Sequence, residues 1–455
     1  MFSNTLRSAF IGLPVASASI LSLPSSSPVR QVLFPVPALL AARAILRPPR
    51  EDAQVEETYL YGLFSASLGF RILDYLYLHG YDTPRHFYRV DRVGNQGAER
   101  QAYPDSIWDR VKWGLSLLVS QRGIGWNTEV PLPETKYSAT RREFIRQSSM
   151  ALLGIYLGLY LVGMLCERMV QVLREELPLT PQHHHATALY YYLFRQEAFQ
   201  MLVSLAGWVM SIISHVSLLY NLAGVICVAF GIGGRWKLIR SWPKTFGSFR
   251  DAWSIRSVWG KAWHQTLRRS LSAPGERAAE LVLGESSKLS YPMRLVRRYF
   301  LLFSAFAVSG ILHALGVYFV AVTEPMPHPD STPLSTRPPW YTSGYFFSAQ
   351  ALAIMVEDFL CWIGGVSVDS KEVGANPAAL RWIGGAAYTL AWFVWSTTVL
   401  WIHPQLAAFG YQRTQDEGKG YVHVLEATAR ACSMMPLNPW PLFVDGTLAV
   451  LRDIW

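Results

Sequence analysis

The chain has 455 residues, 51% of them hydrophobic and only 16% charged, with 17 Trp, 22 Tyr and 22 Phe. Soluble domains carry about 25% charged residues, so this composition excludes an ordinary soluble protein, a disordered chain and a coiled coil. It fits a polytopic protein solvated by lipid, with aromatic belts at its interfaces. The formal net charge of +9 is not spread along a face as in a nucleic-acid binder; it collects in one segment, Arg235 to Arg298.

Ser8 to Val29 carries no charge, follows Arg7 and is rich in Ser and Pro. It reads either as a signal peptide or anchor or as a weakly ordered N-terminus. The apolar run Gln31 to Ala42 is a candidate first span with its flanks. Thr58 to Phe70 is uncharged and leads into Arg71 and Asp74, whose i,i+3 spacing lets them pair on one helical face. A polar stretch from Asp82 to Arg146 holds Arg122-Gly-Ile-Gly-Trp126 and reads as loops with an interfacial helix.

Gln147 to Cys166 is uncharged for about 20 residues, enough to cross a bilayer core. Ala198 to Gly234 is uncharged for about 37 residues, which suggests one span plus a re-entrant or shorter one, broken near Asn221 or Gly231. Tyr299 to Thr323, Trp340 to Val366 (interrupted by Glu357 and Asp358) and Trp382 to Ile402 complete the set. The expected fold is all-α, with about seven to nine membrane helices. Three regions follow: an N-terminal segment 1–56, a membrane-embedded domain 57–440 with a core at 243–316, and a tail 441–455.

Arg235 to Arg298 holds 14 Lys and Arg against 4 Asp and Glu. That net +10 places the loop on the cytosolic side. Its counter-ions are anionic lipid headgroups or a polyanionic cytosolic substrate such as coenzyme A. The four cysteines are far apart with no C-x-x-C pair, and read as buried thiols rather than a disulfide or zinc framework. His183, His184 and His185 are consecutive and converge poorly on one ion, so no metal site is expected.

Two strings carry the chemistry. The first runs from Pro243 through Trp253, Arg256, Trp259 and Trp263 to His264 and Gln265, followed by Arg268 and Arg269. If helical over 259–269, it places His264 and Arg268 on one face; the alternative is an interfacial amphipathic helix with Trp and Arg at headgroup depth. The second is Ser309-Gly-Ile-Leu-His313-Ala-Leu-Gly316. An imidazole inside an otherwise uncharged span is costly and is a functional candidate, or else a histidine hydrogen-bonded between helices. Gly310 and Gly316 suit close helix approach or ligand access. A neutral imidazole can take a proton from an alcohol as a thioester is attacked, and a second donor can hold the developing oxyanion. The sequence contains no H-x-x-x-D string, no G-x-S-x-G elbow and no Walker loop.

Ser248 to Gln265, with its A-W-S-I-R-x-x-W-G-x-x-W-H-Q string, resembles the signature of the wax-synthase-like branch of the membrane-bound O-acyltransferase superfamily. Phe306-Ala-Val-Ser-Gly-Ile-Leu-His313 is similar to that branch's second string. Arg122–Trp126 and the Glu357-Asp358 pair resemble its fungal members, which include acetyltransferases of terpenoid and meroterpenoid alcohols. The strong match covers Pro243 to Gly316. The resemblance implies that His313 is the general base and that His264 fills the second catalytic position, which is Asn in many relatives. Trp259, Trp263, Gln265, Arg256, Arg268 and Arg269 are then the expected substrate and CoA contacts. Glu357 could orient His313 or pair with Arg71 or Arg381, and Ser309 is expected to bond to the backbone rather than act as a nucleophile.

The resulting expectation is a multi-pass acyltransferase, resident in the endoplasmic reticulum by the resemblance, that binds no cofactor. It would move an acyl group, most simply acetyl from acetyl-CoA, directly to a lipophilic alcohol taken from the membrane lipid. No nucleic-acid partner is expected. A long-chain wax or sterol ester synthase is the alternative within the class. A proton-coupled transporter using His313, Asp74 and Glu357 is the alternative outside it, and a non-enzymatic scaffold gives no reason for an imidazole at mid-span.

Overall fold

A computed structural model of the chain describes residues 4–24, 26–46, 55–79, 82–92, 98–120, 122–130, 140–174, 192–323, 340–364, 379–408 and 422–433. The triplet His183–His185 and the tail 441–455 lie outside these, as does the side chain of Arg381. Among the described residues the architecture is helical. The exception to the all-α expectation is a short antiparallel ladder pairing Val90–Arg92 with Ala98–Arg100.

Among the described residues five helices are long and apolar enough to cross a membrane: Arg141–Arg174, Glu197–Phe230, Tyr291–Val320, Ser343–Ile363 and Trp382–Gln405. They overlap the five longer apolar runs. The two shorter candidates do not join them. Val36–Leu46 has 11 residues, roughly 17 Å at 1.5 Å per residue, short of a hydrocarbon core about 30 Å thick. Val55–Ile72 has 18 residues but carries Glu56, Glu57 and Arg71.

The chain divides into two compact units, one of residues 1–132, 265–329 and 339–366, the other of residues 133–264, 330–338 and 367–455. Helix Asn4–Ser22 packs into the first unit, with Leu13, Ala18 and Leu21 buried against Ile72, Leu76, Trp113 and Leu117. Gly114 makes this possible, since a Cβ there would lie 3.2 Å from the Ala18 backbone.

The Arg122–Trp126 motif closes the same core. Gly123 and Gly125 have φ of 64° and 75°, a region that disfavours residues with a Cβ. Trp126 is buried edge-on to Trp113, with ring centroids 5.2 Å apart. Arg71 and Asp74 do not pair with each other. The chain passes from α-helix to a π-helical turn at Leu73–Leu78, which re-aims the second residue of the pair. Arg71 donates to the Leu118 carbonyl at 2.6 Å, while Asp74 accepts from Arg269 at 2.8 and 3.1 Å.

The second unit is built on two 34-residue helices, Arg141–Arg174 and Glu197–Phe230, with Val422–Ser433 packed against both. Met169, Cys166, Leu425 and Ala429 form its buried core. Small residues set the spacing, as where a Cβ at Gly207 would collide with Thr428 Cγ2 at 2.1 Å. Met150, Leu153, Tyr156, Leu157, Tyr160 and Leu161 stay exposed on the first helix, a surface suited to lipid rather than water.

The break expected near Asn221 is absent, and one helix runs to Gly231 (φ 67°). Its polar residues are accommodated internally: Ser204 and Ser214 donate back to the carbonyls of Gln200 and Met210 at 2.8 and 2.6 Å, the usual way a serine is carried within a helix.

Candidate active site

His313 lies in the first unit, on helix Tyr291–Thr323, between two close helix approaches. One turn before it, a Cβ at Gly310 would lie 3.2 Å from the Gly344 Cα. One turn after it, a Cβ at Gly316 would lie 2.8 Å from the Tyr59 ring, and one at Gly62 would lie 2.9 Å from the Gly316 Cα. Small residues at a crossing let backbones meet, so both glycines serve helix approach. The half-buried imidazole is bracketed accordingly. Its Nδ1 lies 2.6 Å from the Tyr59 hydroxyl, and Phe347 stacks on it with centroids 5.0 Å apart and planes at 19°.

Glu357 does not orient this histidine. It stands ten residues beyond Phe347 on helix Ser343–Ile363, roughly 15 Å further along the axis. Its neighbour Asp358 is the buried acid, accepting from Arg298 and Tyr299 at 3.2 and 3.1 Å. Ser309 is half-buried, four positions before His313 on the same helix.

His264 lies in the second unit, at the end of the signature string. That string is docked onto helix Glu197–Phe230. Tyr220 donates to the Pro243 carbonyl at 2.8 Å, Ser217 and Thr245 share a hydrogen bond of 2.9 Å, and Trp242 covers Gly224. Ser254 and Ser257 form a reciprocal capping box, which satisfies donors at a helix start.

The helix expected over 259–269 does not form. Val258–Ala262 is a π-helical turn, closed by Trp263 N–H on the Val258 carbonyl at 2.7 Å, and Trp263 then turns extended with ψ 159°. His264 and Arg268 therefore do not share a helical face, because a new helix begins at Arg268. Gly247 permits this fold: its N–H donates to the Ala262 carbonyl at 3.0 Å, and a Cβ would sit 2.0 Å from the Lys261 carbonyl oxygen.

The outcome is an aromatic enclosure. Phe246 meets His264 edge-on at 5.7 Å and Trp263 at 5.6 Å, and Trp263 lies 5.5 Å from His264. Trp259 packs against Trp263 and Phe393. Arg256 is half-buried. The two histidines belong to different units, and the chain passes from one unit to the other between His264 and Gln265.

Of the expected CoA contacts, Arg269 is committed elsewhere. It is locked onto Asp74 and lies 5.3 Å from the Phe87 ring centroid. Burial works against its charge, yet the Asp74 carboxylate, with smaller help from Tyr75 and Glu276, outweighs this and holds its pKa above the usual arginine value. Tyr75 beside the pair is pushed up to about 12 by burial and then by Asp74. Arg268 is exposed and donates to the buried Gln265 at 3.1 Å.

A basic pocket lies at the start of the basic segment Arg235 to Arg298. It has a volume of about 570 Å³ and is lined by Arg141, Lys237 and Arg240 together with Val228, Leu238 and Ile239. Among the described residues no group of three or more His, Cys, Asp or Glu is arranged to hold a metal.

Sequence reasoning also missed Tyr59, Phe246 and Phe347. A tyrosine or phenylalanine in an apolar run is unremarkable among 22 of each, and only tertiary packing assigns these a role.

Residues 242–330 match the Membrane bound O-acyl transferase family. Along its whole length the chain is 51% identical to an acetyltransferase of Arthrobotrys oligospora, covering 100% of this chain and 92% of the relative. The chain belongs to the membrane bound O-acyl transferase family.

This acyltransferase is also 30% identical to an O-mevalon transferase of Penicillium terrestre, over 93% of this chain and 90% of the relative. An O-mevalon transferase of Aspergillus niger is 29% identical over 92% and 88%. No solved structure matches the acyltransferase at a significant level. Membership makes it an integral membrane O-acyltransferase with an acyl-CoA co-substrate, and sets aside the transporter and scaffold readings.

Proposed function

We propose that this enzyme transfers acetyl from acetyl-CoA to a hydroxyl of a lipophilic terpenoid or meroterpenoid in secondary metabolism, in the endoplasmic reticulum membrane. The observation that carries the acyl choice is the 51% identity, over the whole chain, to a relative named as an acetyltransferase, against 30% for the first O-mevalon transferase. The lipophilic acceptor is supported by the setting of His313, whose helix is one of the five long apolar ones.

The reaction needs one base and one hydrogen-bond donor, because the thioester is already activated. His313 accepts the alcohol proton as the oxygen attacks the thioester carbonyl. His264, by the resemblance of its string, donates to the carbonyl oxygen as negative charge develops there. The C–S bond then breaks, and the imidazolium returns its proton to the leaving CoA thiolate. The donor's phosphates are assigned to the pocket that Arg141, Lys237 and Arg240 line together with Val228, Leu238 and Ile239. That assignment replaces Arg269, which Asp74 holds.

The test is transfer of radiolabel from acetyl-CoA and from palmitoyl-CoA, by membranes expressing the wild type and His313→Ala, to a panel of terpenoid, sterol and fatty alcohols. Acetyl ester formed only with His313 present supports the reading. Palmitoyl ester in its place moves the enzyme to wax or sterol ester synthesis.

A further inference from the structure

A neutral imidazole has two tautomers, and the hydrogen bond made by one ring nitrogen sets which nitrogen carries the proton. For His313 to accept a proton at Nε2, its Nδ1 must already be protonated and must donate to an oxygen. The structure supplies one such oxygen, the Tyr59 hydroxyl, 2.6 Å from Nδ1 and 254 residues earlier in the chain. The tyrosine is held there by tight packing, since Gly316 lies against its ring and Gly62, three residues on, crosses Gly316. On another side of the ring, Phe347 stacks at 5.0 Å.

We propose that Tyr59 is a positioning residue of the acyl transfer. Its phenolic oxygen accepts from Nδ1–H and so fixes the tautomer whose lone pair is at Nε2. The inference rests on the base role assigned to His313. As the alcohol's O–H bond breaks, Nε2 gains that proton and the ring becomes imidazolium, while Nδ1–H stays bonded to Tyr59. When the C–S bond has broken, Nε2 passes the proton to sulfur and the starting tautomer returns. The Phe347 face supports the transient positive charge, as aromatic faces do for cations. If the phenol donated to Nδ1 instead, the ring proton would sit on Nε2 and that nitrogen could not act as the base.

Packing alone would require only the ring, which phenylalanine retains, so Tyr59→Phe separates the two roles. In the full-length enzyme, Tyr59→Phe should lower kcat about tenfold or more while both KM values stay within about twofold. Tyr77→Phe is the control: it loses a 2.6 Å bond to the Phe34 carbonyl and should leave kcat unchanged. The second readout needs no acceptor alcohol. Carbethoxylation of His313 by diethyl pyrocarbonate, followed by peptide mass spectrometry, should slow in Tyr59→Phe because the lone pair is no longer held at Nε2. If Tyr59→Phe does not fold, 3-fluorotyrosine at position 59 keeps the ring and weakens the acceptor oxygen, and the same two rates should fall. Unchanged kcat and unchanged carbethoxylation overturn the proposal. His313→Ala, run alongside, isolates the base assignment: full transfer by that variant faults the reading of His313, whereas a dead His313→Ala beside an intact Tyr59→Phe overturns the tyrosine alone.

Discussion

Asp74 and Arg269, 195 positions apart, form a two-pronged ion pair in which the Asp74 side chain is only 1% exposed. His79 adds a third contact to the same carboxylate at 3.3 Å. The pair ties the π-helical turn Leu73–Leu78 to the start of helix Arg268–Leu283, the element that follows the signature string. Breaking one side of such a pair leaves a buried charge uncompensated, which costs about 3–5 kcal/mol. Arg269→Ala should therefore lower the thermal unfolding midpoint of the purified protein sharply. Asp74→Asn combined with Arg269→Gln should recover part of the loss. A midpoint for Arg269→Ala equal to that of the wild type would show that the pair contributes nothing to stability.

The crossing at Gly316 should be equally sensitive, for a steric reason. An alanine there must push away the Tyr59 ring, 2.8 Å from the new Cβ, and the Tyr59 carbonyl oxygen at 3.1 Å. Overpacking of this kind costs about 1–3 kcal/mol. It also moves the hydroxyl that bonds His313. Gly316→Ala should thus lose both stability and kcat, whereas Gly154→Ala, with nothing within 4 Å of its added Cβ, should lose neither. Equal effects of the two substitutions on thermal unfolding and turnover would contradict the packing argument.

At position 264 the expected outcome depends on what the imidazole supplies. A side chain that only donates a hydrogen bond to the carbonyl oxygen is replaceable by asparagine, and a donor lost at such a site costs about 10²–10³ in kcat. His264→Asn should keep measurable acetyl transfer and His264→Ala should lose it. The enclosure by Phe246 and Trp263 leaves room for the smaller amide. An inactive but folded His264→Asn enzyme would assign His264 to proton transfer instead.

The five long helices were legible because an uncharged run of about 20 residues has one stable solution in lipid. His313 was legible for the converse reason, as a group expensive to place in such a run. The local shape of the signature was not. Its helical turn ends at Ala262, where Gly247 admits the backbone against Lys261 and Ala262, a contact that no periodicity records. The partners of His313 were hidden by distance along the chain, since Tyr59 is 254 positions away. The fate of Arg269 was hidden likewise: a basic run shows net charge, and only the fold shows which cation Asp74 already holds.

The remaining cations differ in kind from Arg269. Arg141, Lys237 and Arg240 surround the pocket beside the C-terminal end of helix Glu197–Phe230, and all three are exposed. Exposed cations act on a polyanion through a field that salt screens within about 10 Å at 0.1 M. Removing two of them should weaken binding of the donor without touching the chemical step. Lys237→Gln combined with Arg240→Gln should raise the KM for acetyl-CoA severalfold, leave kcat within about twofold, and flatten the dependence of KM on ionic strength. Arg277→Gln removes a charge from the i,i+3 pair with Glu280 and should change none of these. An unchanged KM in the double variant, measured at low salt, would take the CoA phosphates away from this pocket.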